Sequence, residues 1–309
     1  MSSHTYTQKF IKSLKKIFYD FYISFTFKKI VHSSDKSNSN IFEKTTNSDS
    51  QIDLLKKNGV LVYNMDYIND DMVKPYLSSF DNRINLNSFD ESPVINIPFL
   101  HEKNSLVEKI LSDEKLIILI KHYLGNDAKL DLISVNSTCL NSIKQIISEK
   151  WHYDNVGRRV KMFVYFNNSS KISTDYILGT NNIYHKNYST DGSRIKFAKI
   201  KSLENKTKSF YPVKFQSIIF DTNGYHRGRF TSEKNFNERD KLELRNMIKF
   251  EFSSEAKSEK FFGKSDAIGP RNTFFSDKFN FNNCPLINKK YLTKIDNFLY
   301  YSKLFSENY

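Results

Sequence analysis

Hydrophobic periodicity changes character at Gly125, and that change limits the folds open to this chain. Upstream, most apolar residues recur at helical spacing. Ile52 to Gly59 reads as a helix closed by a glycine, followed by the short strand Val60–Tyr63. The acids at Asn69-Asp-Asp-Met-Val-Lys suit the positive end of a second helix. From Ser105 to Tyr123 the residues Leu106, Ile110, Leu111, Leu116, Ile117 and Ile120 mark one helical face. Downstream the pattern turns to short alternating runs. Strands are expected at Leu130–Ser137, Arg159–Phe166, Asp175–Leu178, Ile195–Ile200, Gln216–Phe220 and Lys241–Phe252. Helices followed by short strands with polar turns imply a mainly β fold with flanking helices, a β-sandwich or jelly roll. A last helix is expected over Lys289–Phe305, with Asn288 as its cap.

The two ends differ from the middle. Residues 1–32 form a basic amphipathic segment, with Phe10, Leu14, Ile17, Phe18 and Phe21 on one face and Lys9, Lys12, Lys15 and Lys16 interleaved. The apolar run is broken by Asp20 and is short for a membrane span, and no small-residue cleavage site follows it. Such a helix either packs its aromatic stripe on the main domain or on a second subunit, or lies, through residues 9–29, on an anionic membrane surface. Residues 33–50, rich in Ser, Asn, Asp and Thr, have little to bury and read as a linker. Residues 51–309 are then one domain with N-terminal helices and a C-terminal helical extension, a length that can bury a full core.

Charge and cysteine content narrow the function classes. The formal net charge is +13, from 47 Lys and Arg against 34 Asp and Glu. Those lysines are scattered among acids without a basic tract or an RNA-binding signature, so a solvated basic surface is the expectation and no specific nucleic acid partner is. Cys139 and Cys284 are the only cysteines. Far apart and without a Cys-x-x-Cys pair, they argue against a disulfide framework or a thiolate zinc site and fit a reducing, cytoplasmic setting.

The chemistry concentrates at Trp151-His152-Tyr153-Asp154, just before the run Arg159–Phe166. In an extended segment residues i and i+2 point to one side, so His152 and Asp154 present an imidazole and a carboxylate to one point. That is two thirds of a 2-His-1-carboxylate triad, the donor set of non-haem Fe(II) oxygenases. His226, in Ser217-Ile-Ile-Phe-Asp-Thr-Asn-Gly-Tyr-His226-Arg-Gly, leaves a second apolar strand through a turn and is the candidate third ligand. His-x-Asp by itself recurs by chance, and a lone histidine is more often structural. Context raises the signal: an aromatic-flanked pair before one strand and a histidine after another.

With these residues placed, the chain resembles the phytanoyl-CoA dioxygenase family of Fe(II)- and 2-oxoglutarate-dependent oxygenases. The similarity spans roughly Ile52 to Phe252. It rests on Leu-Lys-Lys-Asn-Gly-Val-Leu-Val at 55–62, His-Tyr-Leu-Gly at 122–125, Trp-His-x-Asp followed by Lys161-Met-Phe-Val-Tyr-Phe, and Ile219-Phe-Asp-Thr-Asn-Gly-Tyr-His-Arg-Gly228. Between the two metal motifs, Ser173–Asn181 keeps Tyr176 and Gly179 but lacks the family's prolines and terminal histidine. The resemblance implies a double-stranded β-helix (jelly-roll, cupin-like) core, with Fe(II) on His152, Asp154 and His226 and 2-oxoglutarate as cosubstrate. It further implies hydroxylation of a C–H bond in a small molecule or a lipid- or sugar-type substrate, with succinate and CO2 as co-products. A retained Asp154 favours hydroxylation over halogenation.

The family also uses an arginine downstream of the distal histidine to grip the far carboxylate of 2-oxoglutarate, a task suited to the guanidinium fork. Arg245 and Arg239 are the candidates. Arg245-Asn-Met-Ile-Lys-Phe-Glu-Phe252 has the expected arginine-then-apolar-strand pattern, with Ile248, Phe250 and Phe252 opposite Arg245. Lys161, with Arg158 and Arg159 beside it, is a candidate to draw an anionic substrate or cosubstrate towards the metal. Two other classes compete: a catalytically silent jelly-roll module binding a metal or ligand, and a basic adaptor working at a membrane surface or nucleic acid.

Overall fold

The computed structural model describes residues 48–83, 94–97, 105–126, 128–139, 147–154, 159–182, 200–229, 243–254 and 285–286. The amphipathic segment 1–32, nearly all of the polar stretch 33–50 and the helix expected over Lys289–Phe305 lie outside these residues. So do Arg158 and Arg239.

Among the described residues, four helices come first or between early strands: α1 (Ser48–Asn58), α2 (Asp70–Arg83), α3 (Ser105–Leu111) and α4 (Glu114–Leu124). α1 takes in Ser48–Ser50, which composition assigns to the linker. The single helix expected over Ser105–Tyr123 is broken in two at Asp113. Its carboxylate caps α4 by accepting from the amides of Lys115 and Leu116, and Gly125 closes the far end. A side chain that satisfies two of the orphan amides of a new helix starts that helix there, whatever the apolar spacing upstream.

The strands are β1 (Val60–Asn64), β2 (Val94–Ile97), β3 (Ala128–Cys139), β4 (Arg159–Tyr165), β5 (Ser173–Ile177), β6 (Thr207–Phe210), β7 (Gln216–Asp221), β8 (His226–Arg229) and β9 (Leu244–Ser254). They form a six-stranded antiparallel sheet in the order β1-β7-β4-β9-β3-β2 and a three-stranded sheet β6-β5-β8. This is the mainly β, jelly-roll fold of the cupin kind. β2, β6 and β8, each of four residues, are too short for a periodicity to show in sequence. Of the strand expected over Ile195–Ile200 only Ile200 is described. It is buried at the head of a short 3-10 helix, Lys201–Lys206, rather than in a strand.

Alternation along the central strands sorts residues into two cores. Val160, Met162 and Val164 of β4 and Ile248, Phe250 and Phe252 of β9 face the helices and pack with Leu55, Leu106, Leu116 and Ile120. Each such side chain contributes about 1.5–3 kcal/mol on burial. The other face of the large sheet turns towards the small one. There Tyr165, Ile218, Phe220 and Met247 meet Tyr176 and Phe210. Residues 285–286 return to the large sheet: Leu286 is fully buried in the helix-side core and its carbonyl accepts from Leu130.

Tyr176 explains two glycines. Its hydroxyl donates to the Asp221 carbonyl at 2.9 Å, and a Cβ at either Gly59 or Gly224 would run into it. Gly59 also sits at φ +77°, where a side chain is strained. Together they lock the α1–β1 corner and the turn before His226 onto the small sheet. Among the described residues, no helix is long and apolar enough to cross a membrane.

Candidate metal centre

His152 and His226 are brought together by their backbones. Each donates its amide to the other's carbonyl, at 3.0 and 2.8 Å, in an isolated antiparallel bridge. Directly opposed residues of this kind project their side chains to the same side. The imidazole centroids are 4.3 Å apart. The Asp154 amide donates to the Thr222 carbonyl at 2.8 Å, which sets its side chain two residues on from His152, on the same face.

The donor atoms converge accordingly. Asp154 Oδ1 lies 3.9 Å from Nε2 of His152 and 3.9 Å from Nε2 of His226, and all three donors fall within 4.8 Å of one another. Both Nδ1 atoms face backbone carbonyls, that of Lys150 at 2.8 Å and that of Gly224 at 2.9 Å. A carbonyl only accepts, so each Nδ1 carries the proton and each Nε2 directs its lone pair to the shared point. A metal about 2.1 Å from each donor would hold neighbouring donors about 3 Å apart, so side-chain shifts of about 1 Å complete the shell. Two imidazoles and one carboxylate suit a divalent first-row metal. The residues present fit such an ion.

Asp154 is held ready as an anion. Burial pushes its pKa up, but the Lys161 charge, joined by the imidazoles when they are protonated, outweighs burial and holds it well below the usual carboxylate range. Lys161 Nζ donates to Oδ2 at 2.5 Å, which leaves Oδ1 facing the histidines. On the neighbouring strand Glu251 accepts from Lys249 at 3.0 Å and lies 3.4 Å from Arg159 and 3.8 Å from Lys161. Burial raises the Glu251 pKa, while these three cations bring it below its ordinary value.

Arg245 sits on the same face of β9, six residues from Glu251 or roughly 20 Å along the strand. It is 5% exposed, and burial pushes its pKa down. Its guanidinium donates only to hydroxyls, Thr174 Oγ1 at 3.3 Å and Thr138 Oγ1 at 3.2 Å. Nε has no partner, and no carboxylate pairs with the charge among the described residues. The Tyr165 hydroxyl, buried in the field of the same charge, makes no hydrogen bond of ordinary geometry. A buried cation with spare donors, beside an orphaned phenol, is a cradle for a carboxylate. Thr174 lies two residues before Tyr176, which pairs with His226, so cradle and metal point are separated by about 7 Å of strand. That is the reach of a five-carbon diacid.

The other arginines flanking His226 serve the fold. Arg227 donates to the buried Asp175 at 3.0 Å and lies over the Trp151 ring, and Arg229 reaches Ser173 and Tyr211. Lys161, singled out in sequence for anions, is tied first to Asp154. Thr138, Thr174, Tyr165, Lys249 and Glu251 are not marked by any sequence motif; strand alternation puts Lys249 and Glu251 on Arg245's face, but only the register with β4 reveals their neighbours.

No family model matches this sequence, and neither does any curated protein. Solved structures do. The crystal structure of EctD from S. alaskensis with 2-oxoglutarate and 5-hydroxyectoine is similar with a TM-score of 0.51 at 14% identity, over 70% of this chain and 80% of that one. EctD with bound Fe gives 0.51 at 13% identity over 77% and 85%, and its apoform 0.50 at 15% over 71% and 83%. At such identity the likeness is one of fold.

Proposed function

We propose that this chain is a non-haem Fe(II)- and 2-oxoglutarate-dependent dioxygenase of the phytanoyl-CoA dioxygenase kind. It hydroxylates a C–H bond of a small-molecule, lipid- or sugar-type substrate, with succinate and CO2 as co-products. One arrangement carries this reading: between the two sheets, a His152–Asp154–His226 donor set and a buried arginine with no counter-ion among the described residues sit about 7 Å of strand apart, the reach of a diacid. The shared fold adds support, since EctD is crystallised with Fe and with 2-oxoglutarate.

Bound iron and 2-oxoglutarate would supply the oxidising chemistry, and the protein supplies position and electrostatics. His152 and His226 present Nε2, each fixed by its backbone-bound Nδ1. Asp154 offers Oδ1 while Lys161 holds Oδ2. These three donors would hold the ion from one side and leave it room to take up a cosubstrate. Arg245, steadied by Thr138 and Thr174, binds the far carboxylate and fixes the diacid's orientation. Phe220 packs against His226 and limits water around the metal point. The well-separated cysteines support a cytoplasmic setting, and residues 9–29 support contact with an anionic membrane surface.

The test is an anaerobic titration with Fe(II) and 2-oxoglutarate. A weak visible charge-transfer band is expected for the full chain and is expected to vanish in His152→Ala. A protein that binds the metal but gives no band with 2-oxoglutarate would be the silent module instead.

A further inference from the structure

Beside the metal point the large sheet carries more positive charge than the oxygenase reading uses. Arg159, Lys161 and Lys249 surround Glu251 on the face turned towards the small sheet, and Lys161 is also paired with Asp154. None is freely solvated: their side chains are 26%, 16% and 21% exposed. Burial pushes the Lys249 pKa down, and Glu251 offsets this only in part. Concentrating half-buried cations costs folding free energy, so an unbalanced group of them calls for a ligand.

A charge count identifies what is missing. In a loaded site the divalent metal, Asp154, the 2-oxoglutarate dianion and Arg245 cancel. Among the described residues, Arg159, Lys161 and Lys249 set against Glu251 then leave two positive charges on one wall. Donors are left as well. Among the described residues, Lys249 makes one ion pair, with Glu251, which leaves ammonium hydrogens to spare, and the buried Nε of Arg159 has no partner.

Resting on the oxygenase reading, we infer that the substrate to be oxidised is an organic anion whose carboxylate or phosphate is held by Lys249 and Arg159 beside the metal. The wall is set apart from the Arg245 cradle: Lys249 is four residues further along β9, about 13 Å. The two anions therefore do not compete for one cation. Phe163, opposite Lys249 in the β4–β9 register, and Phe220, against which Phe163 packs at 5.1 Å, give the body of the substrate an apolar surface.

The test uses the full chain loaded anaerobically with Fe(II) and 2-oxoglutarate, following the charge-transfer band and the melting temperature. The probes are methyl phosphate, acetate and the neutral acetamide. The expected result is that one or both anions perturb the band and raise the melting temperature at concentrations at least tenfold below acetamide, and that salt weakens the effect. Phosphate and acetate arms tell the two anion chemistries apart. Lys249→Met should weaken the anion response about tenfold, the scale of one charge-assisted hydrogen bond, and Lys249→Arg should retain it. A response equal for acetamide and the anions, or unchanged in Lys249→Met, overturns the inference and leaves the metal reading standing. Failure to form the band at the loading step overturns both.

Discussion

Lys161 donates to Oδ2 of Asp154 at 2.5 Å, and in doing so it stands in the metal-free protein as the counter-charge of a carboxylate that faces two histidines. The contact leaves Asp154 one oxygen, Oδ1, to offer a metal. A bound metal and Lys161 would then share the work of balancing one buried anion.

Lys161→Met removes that balance and leaves Asp154 without its cation. Breaking one partner of a buried pair costs about 3 kcal/mol, and in a domain of this size that lowers the melting temperature by roughly 6–12 °C. A redox-inert divalent ion such as Ni(II) or Zn(II) replaces the missing charge. The metal-induced rise in melting temperature is therefore expected to be larger in Lys161→Met than in the natural protein. An equal or smaller rise would show that Lys161 and the metal do not share Asp154. Melting curves in chelator and in excess metal decide it.

Arg245→Met separates cosubstrate binding from folding. The guanidinium is buried with hydroxyl partners only, so an apolar side chain of similar length should leave the metal-free protein at least as stable. The Ni(II)-loaded variant is expected to bind 2-oxoglutarate roughly 30-fold more weakly, as loss of about 2 kcal/mol of charge-assisted bonding requires. Its Ni(II) affinity should not change. Calorimetric titration of both ligands checks all three points, and unchanged 2-oxoglutarate binding would send the search for the carboxylate anchor elsewhere.

Gly224→Ala should be among the more damaging small substitutions. The added methyl meets the Tyr176 hydroxyl and ring edge, and Tyr176 is fully buried between the sheets. Overpacking of this kind costs about 1–3 kcal/mol. Tyr176→Phe alone loses only the bond to the Asp221 carbonyl, about 1 kcal/mol. The double variant should cost less than the sum of the two single costs, because the hydroxyl part of the clash is gone while the ring-edge part remains. Denaturant midpoints of the four proteins measure the coupling.

These residues also show what the sequence makes legible. His152 and Asp154 were readable because their relation is local: two positions apart in an extended segment. His226 was readable because a turn after an apolar strand marks it. Arg245 was picked out by the resemblance, whose arginine-then-apolar-strand pattern it matches, and alternation sends Ile248, Phe250 and Phe252 to the opposite core. Register is different, because it depends on pairings across most of the chain. Glu251 is set against Lys161, and Thr138 against Arg245, only because β9 lies between β4 and β3. The short strand β8 was hidden for the same reason: four residues held by β5 need no pattern of their own. The break at Asp113 was lost because apolar spacing ran through a cap.

Tyr165 gives the site a signature at alkaline pH. Burial pushes its phenol up to about 12, while the nearby Arg245 charge and Thr174 pull the other way. In the unfolded chain a tyrosine ionises near pH 10. Between these values the unfolded state has lost a proton that the folded state keeps, so stability falls as pH rises through the window. Below pH 10 the contribution is flat. By pH 11 the loss from this residue is about 1.4 kcal/mol. Tyr165→Phe removes the titration, and since its hydroxyl makes no ordinary hydrogen bond, the variant should match the natural protein at pH 8. The two should diverge between pH 10 and 11, the natural protein becoming the weaker. Urea unfolding at half-unit steps from pH 8 to 11 tests this. Parallel curves for the two proteins would mean that the phenol ionises as easily folded as unfolded, and that Tyr165 is not sealed between the sheets.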